Sequence, residues 1–114
     1  MAENERLICG SDELEAGGKG VRFEVSRDGQ LTPAFVIRFA GQVHGYLNRC
    51  GHVPVELDFQ PGEFFDTGRL YLICATHGAL YDPATGACVG GRCSGRGLVR
   101  LDVIERDGAI YLRE

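Results

Sequence analysis

Residues 74–83 read CATHGALYDP, and residues 50–52 read CGH. The longer stretch opens with a Cys-x-x-His pair, Cys74 and His77, and the shorter one is a Cys-x-His pair, Cys50 and His52. The chain has only 3 histidines, so two of them at such spacings from a cysteine are not expected by chance. Thiolate and imidazole are common ligands of zinc and iron. These four residues are therefore candidate metal ligands, provided that the two loops converge in the fold.

Alternating apolar and polar residues, typical of β-strands, surround both stretches. Strand patterns lie at residues 21–25, 35–39, 43–47, 70–73, 99–103 and 109–112. Asp28-Gly29 and Gly41 end two of them, and Asp107-Gly108 between the last two predicts a hairpin. No segment has a convincing helical pattern, since Gly10 interrupts Leu7–Leu14. The chain is therefore predicted to be a small all-β, antiparallel domain.

Residues 50–65 and 74–98 do not fit the strand pattern. They are rich in Gly, Pro, Cys and His, and together they hold two of the three histidines and four of the five cysteines. Long irregular segments in a small domain are usually functional or disordered. We expect these two to be functional.

Composition narrows the class of protein. A chain of 114 residues with 44% hydrophobic residues is predicted to form one globular domain over residues 1–114. Its net charge of −4 argues against a nucleic-acid-binding protein. The longest apolar run, Leu70–Ala75, is far shorter than the ~20 residues that span a bilayer. The polar N-terminus, Met1–Arg6, is not typical of a signal peptide, so we expect a cytoplasmic protein without membrane contact, whose cysteines are metal ligands or thiols.

The two Cys/His pairs resemble the signature of Rieske iron–sulfur proteins. The resemblance extends to flanking residues over positions 35–112, and the chain length is similar to that of stand-alone Rieske ferredoxins. The flanking matches are Asn48–His52, His77–Pro83, Gly86 and Gly90–Gly91. The resemblance implies an antiparallel β domain with a cluster-binding subdomain of two loops, the first loop at about 48–59 and the second loop at about 74–97.

The resemblance also implies a cofactor and a function. Cys50 and Cys74 would hold the inner iron of one [2Fe–2S] cluster, and His52 and His77 the outer iron. Neutral imidazoles in place of two thiolates leave less negative charge around the cluster, which raises its reduction potential. The implied function is that of an electron carrier, not an enzyme, between a reductase and an oxygenase-type terminal enzyme.

Some positions depart from the family pattern. Val55 and Thr76 stand where Rieske proteins of the cytochrome bc type have two cross-linking cysteines, and Ala79 stands where high-potential centres have serine. Tyr81 matches the family tyrosine and is expected to form a hydrogen bond near Cys74, or else to be a half-buried strand aromatic. With one hydrogen-bond donor fewer, we expect a potential in the lower part of the range of about −150 to +300 mV.

The remaining cysteines and histidine have simpler interpretations. Cys88 and Cys93, in the sequence CVGGRC, are expected to be reduced thiols, with a local disulfide or a redox-sensing pair as the alternative. Cys9 is expected to be an ordinary thiol on a strand. His44 is expected to be a structural or surface residue, because the cluster already has four ligands.

Other functions remain as alternatives. A Cys₂His₂ set also suits a structural zinc module, and the chain could be a redox sensor or an accessory subunit of a larger oxidoreductase. An oxygenase needs a second, mononuclear iron site, for which only His44 remains as a histidine ligand. The chain is therefore not expected to be an oxygenase itself.

Two groups of apolar residues each have more than one interpretation. Val53, Pro54 and Leu80 form either a docking patch for a partner protein or the packing of the loops. The three phenylalanines within Glu56–Asp66 are expected to cover the cluster or to pack on the base of the domain, with an aromatic partner-binding surface as the alternative.

Overall fold

The computed structural model describes residues 5–50, 55–58, 60–76, 78–91, 93 and 96–113. Within these ranges the chain forms β-strands and one short 3₁₀ helix, Ser11–Glu13, which confirms the all-β prediction. The strands are β1 (Glu5–Gly10), β2 (Val21–Arg27), β3 (Gln30–Phe39), β4 (Gln42–Leu47), β5 (Leu72–Ile73), β6 (Leu80–Tyr81), β7 (Cys88–Gly90), β8 (Arg100–Leu101), β9 (Val103–Arg106) and β10 (Ala109–Arg113). No helix in the described part of the chain has the length and apolar character to cross a membrane.

The strands form three antiparallel sheets. The first has the order β1-β10-β9, the second β2-β3-β4-β8, and the third β5-β6-β7. In the third sheet, which we call the small sheet, β5 lies between the two segments that the sequence marks as functional, and β6 and β7 lie within the second of them.

Three two-residue turns set the register of the larger sheets. Asp28-Gly29, Ala40-Gly41 and Asp107-Gly108 all have positive φ at both positions. This is the backbone of type I′ hairpin turns, which favour Asn or Asp followed by Gly. The hairpin predicted at Asp107-Gly108 is therefore confirmed, with Arg106 opposite Ala109.

The apolar run before Cys74 is a shorter strand than its pattern indicates. Only Leu72–Ile73 form β5, whereas Leu70 is 60% and Tyr71 39% exposed. The carboxylate of Asp66 accepts hydrogen bonds from the backbone N–H groups of Leu70 (3.1 Å) and Tyr71 (3.2 Å). These two residues therefore belong to a turn that Asp66 organises.

The structure contains three strands that the sequence pattern does not reveal. The strand β1 pairs with β10 across an irregularity between Leu7 and Cys9, which disturbs the alternation of its side chains. The strands β6 and β7 lie in the segment 74–98, which does not show the strand pattern.

The faces of β3 separate two cores. Val36 packs with Cys9 and Ile110 against the first sheet. Phe35 and Ile37, on the opposite face, belong to a larger core that also contains residues of the functional segments. Those residues are Cys50, Leu57, Phe64, Cys74, Ala79, Tyr81, Cys93 and Leu98.

Phe64 and Phe65, the described aromatic residues of the segment 56–66, pack on the base of the domain, which confirms that expectation for these two residues. Phe64 is fully buried and stacks on Phe35, with ring centroids 3.9 Å apart. Phe65 lies over Phe39 at 6.1 Å. Phe59 lies outside the described residues.

Candidate functional site

The structure places the two predicted cysteine ligands in one buried cluster. Cys50 follows β4 and is 3% exposed, and Cys74 follows β5 and is fully buried. Both belong to the larger core described above. The predicted ligands His52 and His77 lie outside the described residues, as do Val53 and Pro54. The four-ligand set therefore stays a prediction.

Buried polar groups hold the first loop. The Asn48 side chain donates a hydrogen bond to the Asp58 carboxylate (2.9 Å) and accepts one from the N–H of Leu57 (2.8 Å). The N–H of Cys50 donates to the carbonyl of Val55 (2.8 Å). Because Asn48 and Asp58 are only 2% and 8% exposed, these hydrogen bonds lie in a poorly solvated environment, where they fix the loop strongly.

Backbone hydrogen bonds fold the second loop tightly around Cys74 and join it to the first loop. The N–H of Cys74 donates to the carbonyl of Ala79 (2.9 Å), and the N–H of Gly78 donates to the carbonyl of Cys74 (2.8 Å). The N–H of Ala75 donates to the carbonyl of Leu57 in the first loop (2.9 Å). The two loops therefore converge, as the ligand hypothesis requires.

Tyr81 contacts the first loop from the small sheet. Its side chain is fully buried, and its hydroxyl lies 3.3 Å from Sγ of Cys50. The expectation of a half-buried aromatic is wrong, and the sulfur that the hydroxyl contacts is that of Cys50, whereas the sequence reasoning placed it near Cys74. Pairing of Tyr81 with Leu72 in the small sheet turns the ring into the core. A phenol here can donate a hydrogen bond to a thiolate.

The residues that depart from the family pattern supply neither a cross-link between the loops nor a hydroxyl group at position 79. Val55 is 36% exposed and Thr76 is exposed, and neither can form a disulfide. Ala79 is fully buried and offers only a methyl group where a serine would offer a hydroxyl.

Cys88 and Cys93 form a disulfide, so the expectation of two reduced thiols is wrong. Their Cα atoms are 5.9 Å apart, within the range that a disulfide requires. Gly91, with φ +77°, reverses the chain after β7 and brings Cys93 back beside Cys88. Cys93 is fully buried and Cys88 partly buried.

The remaining cysteine and histidine have structural positions. Cys9 lies on β1 as expected, and burial raises the pKa of its thiol to about 11. His44, on β4, is 8% exposed, and its Nδ1 has no hydrogen-bond partner among the described residues. Burial, and then the nearby Arg100, lower the pKa of His44, which favours a neutral imidazole. His44 is therefore a structural residue.

Sequence reasoning missed two buried polar links. Besides the link between Asn48 and Asp58, the Tyr46 hydroxyl donates a hydrogen bond to the carbonyl of Pro83 (2.7 Å). Burial raises the pKa of Tyr46 to about 12, which keeps the phenol neutral. Gly86 lies under the Tyr46 ring, where a Cβ would come within 2.7 Å of the ring carbon Cε1. A tyrosine on an apolar strand followed by a glycine-rich loop is the weak signal that such a link leaves in a sequence.

Comparison with known proteins gives the following matches. A family model described as the Rieske [2Fe-2S] domain matches residues 4–105. The ferredoxin of carbazole 1,9a-dioxygenase from Nocardioides aromaticivorans IC177 superposes with a TM-score of 0.73 at 23% identity, over 97% of this chain and 98% of that chain. A chain in the complex of reduced oxygenase and oxidised ferredoxin in carbazole 1,9a-dioxygenase gives 0.72 at 20% identity, over 98% and 94%.

The same fold also occurs within a larger protein. A quaternary ammonium Rieske monooxygenase matches with a TM-score of 0.75 at 18% identity, over 98% of this chain and 31% of that chain. No curated protein matches the sequence significantly.

Proposed function

Because the chain belongs to the Rieske [2Fe-2S] domain family, and its cofactor is therefore a [2Fe–2S] cluster, we propose that it is a one-electron carrier. A cluster of this type takes up and releases one electron when bound. The observation that carries the proposal is the convergence of Cys50 and Cys74, on two hydrogen-bonded loops, in one buried core.

We propose Cys50, His52, Cys74 and His77 as the ligands. Two buried thiols suit the binding of iron, because a thiolate is stabilised by the metal where water cannot solvate it. The Tyr81 hydroxyl, 3.3 Å from Sγ of Cys50, supplies a donor that stabilises negative charge on that sulfur. The two histidines complete the donor set by their spacing in the sequence.

The redox partners are proposed by analogy. In one of the structures compared above, a ferredoxin of this fold is bound to an oxygenase. We propose that this chain, folded as one domain over residues 1–114, likewise passes electrons from a reductase to a terminal oxygenase and is not itself an enzyme. Of the predicted docking patch, the structure describes Leu80, which is partly buried on β6 and which we propose as a contact with the partner.

A second function is that of an electron-transfer domain or accessory subunit within a larger oxidoreductase. It is favoured by the monooxygenase match, in which a Rieske unit makes up less than a third of the chain. In both functions the Rieske unit carries the electron, so the two differ in the partner and share the cofactor.

The first experiment measures the metal content of protein purified without air. We expect two iron and two acid-labile sulfide per chain, and an EPR signal after dithionite whose average g is lowered by mixed Cys/His ligation. Cys50→Ser should abolish the cluster, and Cys9→Ser, which replaces another buried cysteine, should retain it. One zinc per chain with no sulfide would refute the proposal in favour of a zinc module.

A further inference from the structure

The disulfide between Cys88 and Cys93 closes a short segment of the second loop. Electron transfer by the cluster does not itself require this disulfide. The enclosed residues are Val89, Gly90, Gly91 and Arg92. Two adjacent glycines make this a flexible sequence, so a covalent link across it limits its conformations.

One side of this segment presses on the backbone around Cys74. A Cβ on Gly91 would lie 2.7 Å from the carbonyl oxygen of Gly78 and 2.8 Å from Cα of Ala79. Ala79 and Gly78 are the residues whose backbone groups bond to Cys74. The segment therefore packs on the turn that holds one proposed ligand.

The other side of the segment is paired with the strand that carries Tyr81. In the small sheet Gly90 lies opposite Leu80, and Cys88 lies opposite Tyr81, whose hydroxyl contacts Sγ of Cys50. The pairing is only a few residues long and its register is irregular. The disulfide segment thus contacts the supports of both proposed cysteine ligands.

We propose that Cys88 and Cys93 form a reducible disulfide that locks the cluster-binding loops, and that a dithiol reductant unlocks them. The inference rests on the proposed function, because the locked loops are those that would hold the cluster. It gives this pair of cysteines a role as a redox modification site that controls how firmly the cofactor is retained.

The chemistry is thiol–disulfide exchange. A thiolate of the dithiol attacks the sulfur of Cys88, which is the less buried cysteine, and Cys93 leaves as a thiolate and takes up a proton. The second thiol of the reductant then breaks the mixed disulfide. Cys88 is released as a thiol and the reductant as its cyclic disulfide, so two electrons and two protons move to the protein.

Opening the disulfide leaves a glycine-rich segment held by a short, irregular strand pairing. Gly91 is then no longer held against Gly78 and Ala79, and water and chelators gain access to the loops. Residues that orient metal ligands typically alter metal affinity by about 10- to 100-fold when they are removed. We therefore expect cluster release to accelerate about tenfold when the disulfide opens.

The test separates the disulfide from the cluster. Holoprotein is equilibrated with mixtures of reduced and oxidised dithiothreitol, thiols are trapped by alkylation, and the mass of the 88–93 peptide reports the disulfide fraction with or without a cluster. The rate of cluster release to a ferrous chelator is followed in the same samples from the visible absorbance. Wild-type protein with the disulfide intact and wild-type protein with the disulfide reduced supply the comparison without any substitution.

Two variants serve as controls. The double variant Cys88→Ser/Cys93→Ser should release its cluster at the fast rate whether or not dithiothreitol is present, which excludes chelation by the reductant. Cys9→Ser should behave as the wild type.

Each failure has a distinct signature. A peptide mass that shows no disulfide, or a disulfide that resists dithiothreitol, overturns the inference, as do equal release rates for oxidised and reduced protein. Protein without iron or sulfide would refute the proposed electron carrier, while the peptide mass would still report the disulfide.

Discussion

Replacing Tyr81 with phenylalanine should lower the reduction potential of the protein. The change removes one oxygen atom and keeps the ring, which is fully buried. The lost hydroxyl lies 3.3 Å from Sγ of Cys50, the proposed ligand of the inner iron. One-electron reduction increases the negative charge on the ligand sulfurs, so a hydrogen-bond donor stabilises the reduced form more than the oxidised form.

The size of the effect follows from the strength of such a hydrogen bond. A hydrogen bond to a charged group contributes about 1.5–3 kcal/mol. Only the difference between the two oxidation states affects the potential, and we take it as about 1 kcal/mol. For a one-electron couple, about 1.4 kcal/mol corresponds to about 59 mV, so the expected decrease is about 40 mV.

Tyr46→Phe is the matched control for this prediction. The Tyr46 hydroxyl is also buried and donates to the carbonyl of Pro83 at 2.7 Å, but it does not bond to a proposed ligand. Its loss should cost about 1–2 kcal/mol of stability, because a buried carbonyl is left without its donor, and should leave the potential unchanged. Both variants are measured by redox titration followed by visible circular dichroism. A Tyr81→Phe potential within about 10 mV of the wild type, or an equal decrease in both variants, would refute the role of the hydroxyl.

Two further predictions concern stability. Phe64→Ala should lower the free energy of unfolding by about 3–5 kcal/mol in urea denaturation, because the ring is fully buried and stacked on an aromatic ring of β3. Phe65→Ala, at a partly buried position, should have a clearly smaller effect, and equal effects would contradict the packing described here. Hydrogen bonding to Arg38 lowers the pKa of Glu105 to about 2, so this ion pair contributes stability above the ordinary pKa of 4.5 and loses it as the pH falls from 4.5 through 2. Glu105→Gln should therefore lower the free energy of unfolding by about 1 kcal/mol, a value discounted for partial exposure, and by the same amount at pH 8 and pH 6. Asp102→Asn, in a more exposed pair, should have little effect. If the effect of Glu105→Gln grew between pH 8 and pH 6, this carboxylate would be excluded as its cause.

The sequence predicts best the elements whose cause is local. Asp28-Gly29 and Asp107-Gly108 mark hairpins because few other dipeptides adopt positive φ at both positions, and the structure has both turns. The strand β1 is less visible because the irregularity between Leu7 and Cys9 breaks the alternation on which strand prediction depends. Strands of two residues, such as β5, have too few positions to show any period.

At the candidate site, spacing identifies residue types, and tertiary structure decides the contacts. The two Cys/His pairs are visible because histidine is rare in this chain. The sulfur that Tyr81 contacts depends on the register of the small sheet, which no local pattern contains. The disulfide of Cys88 and Cys93 depends on the reversal of the chain at Gly91 and on the redox environment. The expectation of reduced thiols rests only on the rarity of disulfides in cytoplasmic proteins, and it is wrong.

The surroundings of the two cysteines bear on the potential that the site would set. Cys50 and Cys74 lie in an apolar core, where a low dielectric penalises the additional negative charge of the reduced state. Ala79 presents a buried methyl group where a serine would supply a donor, and the Tyr81 hydroxyl lies 3.3 Å from Sγ of Cys50. A net charge of −4 acts weakly in the same direction as burial. Burial and net charge therefore both oppose reduction, and we expect a potential in the lower part of the Rieske range of about −150 to +300 mV, which Tyr81→Phe would lower further.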